Sequence, residues 1–403
     1  MEERNIYHDI AERTGGDIYI GIVGPVRTGK STFIKRFMDT LVIPNITEEY
    51  RRERANDELP QSSAGRTIMT TEPKFIPEEA VTVNLPDNAM FNVRMIDCVG
   101  YIVPSSLGYI EDEMPRMVMT PWYEEPIPFN MAAEIGTRKV ITDHSTIGLV
   151  ITTDGSIGDI PRYEYEEAEQ RVINELKEIN KPFIVLMNSL MPEADNTIEL
   201  AGVMSNKYGV PVTPINCLEI DEDEIKSIIS KLLFEFPIKE VAVDLPKWIT
   251  SLSPDHWLRK EIFTSIENSA ANLVHIRDIA NLTETIGQCE NVDLSDIAGI
   301  DLGKGNAKIN VKIKPNLFFN VLSETTGLDI PNEQALMNSM MELSKTKSYY
   351  ERIKNALTEV DACGYGIVMP TIDELTLEEP EIMKQGGRYG VRLKASAPSI
   401  HIL

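Results

Sequence analysis

The stretch GPVRTGKS at residues 24–31 constrains the fold more than any other part of the 403-residue sequence. It has the spacing G-x-x-x-x-G-K-[ST], in which a glycine-rich loop turns backbone N–H groups toward an anion. The apolar run 17–24 leads into it, and residues 31–38, which have helical spacing, follow it. A strand, such a loop and a helix in succession predict a phosphate-binding loop beside a parallel sheet.

Each position of this loop has a chemical reason. Gly24 and Gly29 permit the tight turn, and the helix that begins near Lys30 adds the positive end of its dipole. Lys30 supplies a charge to the β- and γ-phosphates of a nucleotide, and Ser31 can ligate Mg²⁺. The other loop residues that we expect to contact nucleotide are Pro25, Val26, Arg27, Thr28 and Thr32.

A second element, DCVG, follows the apolar run 91–96. Asp97 is expected to hold a Mg²⁺-bound water, and the amide of Gly100 to sense the γ-phosphate. The segment GRTIMTTEP, residues 65–73, lies between the two motifs and contains Thr70 and Thr71. Either threonine can close over Mg²⁺, and the alternative is an ordinary solvated loop threonine. The order of the three elements predicts a nucleotide hydrolase of the translation-factor-related GTPase class.

The expected guanine-reading motif N-K-x-D is incomplete. The stretch IVLMNSLMPEAD, residues 184–195, keeps Asn188 but has Ser189 and Met191 in place of the lysine and the aspartate. A thioether cannot accept the paired hydrogen bonds of guanine, so discrimination for that base is lost. We therefore expect ATP, with Asn188 and Ser189 near the base, and we expect Asp195 to begin the next helix.

The residue after the DCVG element is Tyr101, where Ras-like enzymes have a water-orienting glutamine. Because a phenol cannot orient water as an amide does, we expect slow turnover or turnover that depends on assembly. Arg27 is the candidate for stabilising transition-state charge from within the loop. The alternative is a surface arginine that pairs with a neighbouring acid.

Alternating strand-like and helix-like segments as far as residue 237 predict a mostly parallel sheet with helices on both faces. The expected strands are 17–24, 91–100, 145–155, 181–189 and 210–217, and the expected helices include 162–180 and 221–236. Residues 39–80 and 101–130 look like long functional loops. Beyond residue 237 we expect strands at 240–252, 307–314 and 388–403 and helices at 255–280 and 332–363.

The predicted domains are therefore an α/β P-loop domain at 1–238, an α+β middle domain at 239–330 and a helix-plus-sheet region at 331–403. Formal net charge is −24, which argues against broad nucleic-acid binding and against electrostatic attachment to anionic lipid. The four cysteines are far apart and lack metal-ligand spacing, as in a reduced cytoplasmic protein. We find no apolar run of transmembrane length in the sequence.

Several segments together resemble the stage IV sporulation protein A family of endospore-forming Firmicutes. They are DIAERTGGDIYIGIVGPVRTGKSTFIKRFM, IMTTEPKF, DCVGY, PWYEEPIPF, AAEIGTRKVI and GVRLKASAPSIH. The resemblance implies Mg²⁺-dependent ATP hydrolysis that accompanies polymerisation into a static shell, the base layer of the spore coat. It also implies a mother-cell location on the outer forespore membrane.

On this chain the resemblance assigns the phosphate-loop lysine to Lys30, γ-phosphate sensing to Thr70 and Thr71, and the Mg²⁺-associated aspartate to Asp97. It implies a further C-terminal region, expected to be lacking here, that docks a small membrane-bound amphipathic peptide and spore coat proteins. Two alternatives remain open from the residues. One is a GTPase-like regulatory switch that binds a partner without polymerising, and the other is a protein that binds nucleotide only as a structural ligand.

Overall fold

The computed structural model describes residues 6–60, 73–84, 90–106, 110–111, 114–120 and 123–403. The chain forms two compact units, Met1–Lys312 and Ile313–Leu403. The strands of the first unit are β1 (Asp17–Val23), β2 (Lys74–Asn84), β3 (Met90–Asp97), β4 (Ile110–Glu111), β5 (Met114–Pro115), β6 (Met117–Thr120), β7 (Tyr123–Pro128), β8 (Ile147–Thr153), β9 (Phe183–Asn188), β10 (Val212–Ile215), β11 (Glu240–Asp244), β12 (Val292–Asp301) and β13 (Asn306–Ile313).

The helices of the first unit alternate with these strands. They are α1 (Ile6–Thr14), α2 (Lys30–Phe37), α3 (Glu49–Asp57), α4 (Phe129–Lys139), α5 (Glu166–Ile179), α6 (Asp195–Tyr208), α7 (Glu222–Phe234), α8 (Lys247–Thr250), α9 (Trp257–Ala270) and α10 (Ile279–Gly287).

A six-stranded sheet in the order β10-β9-β8-β1-β3-β2 forms the centre of the P-loop domain. Its strands are parallel except β2, which runs antiparallel to β3 at one edge. Every residue of β8 and β9 is buried, because helices cover both faces of the sheet. Side chains of α1, α2 and α7 pack on one face, and those of α4, α5 and α6 pack on the other. The predicted fold class is confirmed.

The carboxyl ends of the central strands meet at one edge of this sheet. Ile22 of β1 is in register with Asp97 of β3 and with Leu149 of β8. Asn188, the last residue of β9, is in register with Thr153 of β8. Residues that follow these strands are therefore neighbours, and this is where α/β folds of this kind bind ligands.

Some predicted elements were wrong. The segment 39–80 is not one long loop, because it contains α3 and β2. Helix α3 buries only Ala55, so it has no apolar periodicity to reveal it. Residues 240–252 are not one strand: β11 ends at Asp244, and α8 starts immediately after Pro246. The long helix expected at 255–280 ends at Ala270.

Beyond the P-loop domain, β11, β13 and β12 form a three-stranded sheet in that order. The second unit contains α11 (Pro315–Thr326), α12 (Glu333–Cys363), β14 (Gly366–Val368), β15 (Thr376–Leu377), β16 (Glu381–Gln385), β17 (Arg388–Arg392), β18 (Ala395–Ser396) and β19 (Ile400–Ile402). Its strands form the antiparallel pairs β14–β19, β15–β18 and β16–β17. The helix predicted at 332–363 is confirmed, and the three-domain division with boundaries at 238 and 330 stays a prediction.

Candidate nucleotide-binding site

The phosphate loop joins the end of β1 to the start of α2 through backbone conformations that few residues adopt. Gly24, Arg27 and Gly29 have φ angles of 137°, 63° and 95°. A Cβ on Gly24 would lie 2.2 Å from the carbonyl oxygen of Ile151, and one on Gly29 would lie 2.3 Å from Nδ2 of Asn188. Both glycines are therefore required by conformation and by space.

Lys30 points back into the loop that precedes it. Its ammonium donates hydrogen bonds to the carbonyl oxygens of Pro25, at 2.6 Å, and Gly24, at 3.3 Å. Burial lowers the pKa of Lys30 to about 8, against the opposing effect of the nearby Asp97 carboxylate. A buried cation whose hydrogen bonds go to two neutral carbonyls is an attractive site for a phosphate oxygen.

Ser31 and Asp97 come together from different elements. The Ser31 hydroxyl donates to Oδ2 of Asp97 at 2.7 Å. Burial raises the pKa of the Asp97 carboxyl, and the Ser31 hydrogen bond and the Lys30 charge oppose that shift. In the described ranges, no group of three or more His, Cys, Asp or Glu side chains could hold a metal by itself. Two oxygen ligands of this kind fit Mg²⁺, which shares its coordination with waters and phosphates.

The segment after Asp97 lies directly on the phosphate loop. The Val26 amide donates to the carbonyl of Tyr101 at 2.8 Å, and the Tyr101 amide donates to the carbonyl of Gly24 at 3.1 Å. A Cβ on Gly100 would lie 2.5 Å from Nζ of Lys30 and 2.6 Å from the amide nitrogen of Val26. Only glycine fits between the two motifs.

The side chain of Tyr101 points away from the phosphates into the core. Its hydroxyl donates to Oε2 of Glu175 at 2.5 Å, and burial raises the pKa of the phenol. From α4, the hydroxyl of Thr137 donates to the carbonyl of Val99 at 3.0 Å. Tyr101 therefore anchors the segment and does not orient a water at the γ-phosphate.

Arg27 is a partly buried residue at the turn of the loop, near the buried side chain of Tyr165. Burial lowers the pKa of the guanidinium, and the electrostatic interaction with Tyr165 acts in the opposite direction. Burial also raises the pKa of Tyr165 to about 12, so both groups keep their ordinary protonation at neutral pH. The role of Arg27 in transition-state stabilisation stays a prediction.

Asn188 joins three loops at the expected base side of the site. Its Nδ2 donates to the carbonyl of Thr28 at 3.1 Å, and its Oδ1 accepts from the amide of Cys217 at 3.1 Å. The side chain is buried, so both hydrogen bonds form away from water. Asn188 thus braces the phosphate loop against the segment that follows β10.

The Ser189 side chain is hydrogen-bonded to an aspartate that could not be identified from the sequence. Its hydroxyl donates to Oδ2 of Asp154 at 2.6 Å and accepts from the amide of Met191 at 3.0 Å. Oδ1 of Asp154 in turn accepts from the amide of Ser156 at 2.9 Å. The Met191 side chain is 72% exposed. A serine–aspartate contact therefore holds this loop, and the position expected for a guanine-reading carboxylate is occupied by the exposed Met191.

The structure brings most of the predicted residues to one edge of the sheet, at the ends of β1, β3 and β9. Thr70 and Thr71 lie outside the described residues. Asp195 is the first residue of α6, as expected. Residues that sequence reasoning missed are Thr137, Asp154, Glu175 and Cys217, and the only local signal among them is the turn sequence DGS after a buried strand.

Within the described ranges, no helix is both long and apolar enough to span a bilayer. The apo form of translation elongation factor SelB from Methanococcus maripaludis is 16% identical, over 54% of this chain and 33% of that chain. The TM-score is 0.28, which is too low to define a shared fold.

Family comparisons cover the whole chain. The profile for the stage IV sporulation protein A ATPase domain matches residues 1–237, and that for the middle domain of the same family matches residues 238–403. Stage IV sporulation protein A of Bacillus anthracis and that of Bacillus subtilis strain 168 are each 49% identical over 403 residues, which is 100% of this chain and 82% of each relative. That of Clostridioides difficile strain 630 is 48% identical over 99% of this chain and 81% of the relative. The chain belongs to the stage IV sporulation protein A family and carries its ATPase domain.

Proposed function

We propose that this sporulation protein binds Mg²⁺–ATP at the phosphate loop, hydrolyses it slowly and assembles with copies of itself. The observation that carries the proposal is the convergence of Lys30, Ser31, Asp97 and Gly100 at one edge of the sheet. Lys30 and Gly100 meet there, and Ser31 lies 2.7 Å from Asp97. Each group is of the type that phosphoryl transfer uses.

In the proposed reaction the chain positions a triphosphate and stabilises its developing charge. Backbone amides of the phosphate loop and the Lys30 ammonium hold the β- and γ-phosphates. Ser31 and Asp97 would hold Mg²⁺, which neutralises charge on the transferring phosphoryl group when it is bound. The Gly100 amide senses the γ-phosphate, and Arg27 adds positive charge from the loop.

Slow turnover follows from what Tyr101 does. Its hydroxyl is hydrogen-bonded to Glu175 in the core, so it leaves the attacking water without the amide that Ras-like enzymes supply at this position. We assign γ-phosphate sensing and Mg²⁺ contact to Thr70 or Thr71, and we expect assembly to complete the site.

ATP is the proposed substrate because no carboxylate stands at the guanine-reading position. Met191 is there, and Asp154, the acid that follows β8, accepts a hydrogen bond from Ser189. GTP would therefore lose its paired hydrogen bonds, which costs orders of magnitude in discrimination.

Assembly completes the proposed function. We propose a static homopolymer that forms the base layer of the spore coat, on the forespore surface in the mother-cell cytoplasm. A small membrane-bound amphipathic peptide and spore coat proteins are the further proposed partners. The family assignment supports this reading, since the relatives of 48–49% identity are sporulation proteins.

Phosphate release and sedimentation test the proposal together. Lys30→Ala should abolish release from ATP, whereas Lys35→Ala, on the exposed side of the same helix, should not. The wild-type protein should pellet with ATP and release phosphate faster from ATP than from GTP. The alternative, a GTPase-like regulatory switch that binds a partner, is favoured instead if GTP is the faster substrate and nothing pellets.

A further inference from the structure

Helix α12 is packed along only part of its length. It has 31 residues and begins at Glu333, after the N-cap residue Asn332, whose side chain accepts a hydrogen bond from the amide of Ala335. Its C-terminal part contacts β14, where a Cβ on Gly366 would lie 2.0 Å from the carbonyl oxygen of Ala356. Residues 340–350 are all exposed. The N-terminal half of the helix therefore projects from the small sheet that anchors the rest.

An apolar stripe runs along this projecting half. Its positions recur at alternating intervals of four and three residues, which places them on one side of a helix. They are Leu336, Met340, Leu343, Lys347 and Tyr350. Met340, Leu343 and Tyr350 are 56%, 48% and 52% exposed. We call these five residues the α12 stripe.

We expect the exposed apolar face of this projecting half to pack against another protein surface. Helices gain most of their stability by packing an apolar face, and exposed apolar rows of this kind mark interaction sites. The spacing is that of a helix that pairs with another helix, and not that of a surface for an extended peptide.

Two charges, Lys347 in the stripe and Glu333 one turn before it, indicate which helix fits. In parallel register, two copies of α12 would place Lys347 against Lys347 and Glu333 against Glu333. In antiparallel register, with Met340 opposite Leu343, Leu336 lies opposite Lys347 and Glu333 lies opposite Tyr350. Lys347 of each copy then reaches Glu333 of the other, since Glu333 is one turn from Leu336. The α12 stripe is thus complementary to itself in the antiparallel sense.

We propose that the α12 stripe pairs antiparallel with the α12 stripe of a second copy of this chain. Such a contact has two-fold symmetry and closes at a dimer, so a polymer needs at least one further contact. The pairing names one contact of the proposed self-assembly and rests on that function. It uses no residue of the nucleotide site, so it should form with or without ATP.

Cysteine cross-linking of the full chain tests the register. In a Cys363→Ser background, a mixture of Met340→Cys and Leu343→Cys proteins should form the mixed disulfide at least about tenfold faster than Lys345→Cys, on the opposite side of the helix, forms its own. Faster cross-linking of Met340→Cys with itself than with Leu343→Cys would indicate parallel pairing and would overturn the proposal. Equal rates for all three positions would overturn it as well.

Exchanging the charges of Glu333 and Lys347 distinguishes a loss of helix pairing from a loss of folding. Lys347→Glu should weaken the dimer about tenfold in sedimentation equilibrium, and Glu333→Lys combined with Lys347→Glu should restore it. Basal phosphate release, measured below the concentration at which the wild-type protein assembles, should be the same in both variants as in the wild type. Failure of the exchange to restore the dimer refutes the pairing.

The same samples distinguish the two proposals. Cross-linking at 340 and 343 without pelleting under any nucleotide condition would refute polymerisation and keep the helix pairing. Pelleting with ATP but without preferential cross-linking would keep polymerisation and refute the helix pairing.

Discussion

The lowered pKa of Lys30 predicts that, as the pH rises, the affinity for Mg²⁺–ATP falls while the free energy of unfolding of the nucleotide-free protein rises. Because burial lowers its pKa from 10.5 to about 8, the nucleotide-free protein loses this proton between pH 7 and pH 9. A triphosphate binds the ammonium, and so it restores the proton on binding. Above pH 8 the dissociation constant for Mg²⁺–ATP should therefore rise about tenfold per pH unit, reaching about tenfold at pH 9.

The stability of the nucleotide-free protein changes with the opposite sign. Unfolded Lys30 keeps its proton up to about pH 10.5, so between pH 8 and 10.5 the unfolded state binds more protons than the folded state. The free energy of unfolding should rise across that window, by an amount on the order of 3 kcal/mol from this residue alone. Below pH 8 both states hold the proton, and the cost of burying the charge is fully present.

Isothermal titration calorimetry with Mg²⁺–ATP measures the first effect directly. Titrations at pH 8.5 in two buffers of different ionisation enthalpy should show net proton uptake on binding. After correction for the protons that ATP itself binds, the uptake at pH 6.5 should be close to zero. Lys30→Met should remove the uptake and the pH dependence of stability together. Constant affinity from pH 7 to pH 9, without proton uptake, would refute the assignment of Lys30.

Four variants test other parts of the site. Gly100→Ala should abolish phosphate release, because its Cβ would lie 2.5 Å from Nζ of Lys30, while the melting temperature of the second unit should not change. Asn188→Ala should lower the free energy of unfolding in urea by about 2–4 kcal/mol, since it removes two buried hydrogen bonds. Tyr101→Phe should cost about 1–3 kcal/mol in the same assay yet leave turnover within a factor of two, and a large loss of turnover would assign the phenol to catalysis. Ser189→Lys with Met191→Asp should increase the ratio of GTP to ATP hydrolysis by at least about tenfold, and an unchanged ratio would contradict the base-site interpretation.

Local signals explain what the sequence could predict. The phosphate loop is contiguous, and its glycines, lysine and serine have roles that eight successive residues define. Buried strands such as β8 and β9 are apolar along most of their length, so their existence can be predicted locally, and the parallel sheet follows from their alternation with helical segments.

What the sequence could not predict depends on contacts between distant segments. Asp154 meets Ser189 across 35 positions, and Tyr101 meets Glu175 across 74. Neither pair has a spacing that a local pattern reveals. Helix α3 was missed because a helix with one buried residue looks like a polar loop.

The attachment of the DCVG segment has a mechanical consequence. Two main-chain hydrogen bonds tie it to the phosphate loop, and the Tyr101 hydroxyl ties it to Glu175 on α5. A shift of the Gly100 amide toward a γ-phosphate would therefore also move the ring of Tyr101, which is buried in a close-packed core. If ATP binds as proposed, the ring would transmit that shift to α5 through the hydrogen bond between Tyr101 and Glu175. A second molecule bound to the outer surface of α5 would then respond to the nucleotide held at the proposed site.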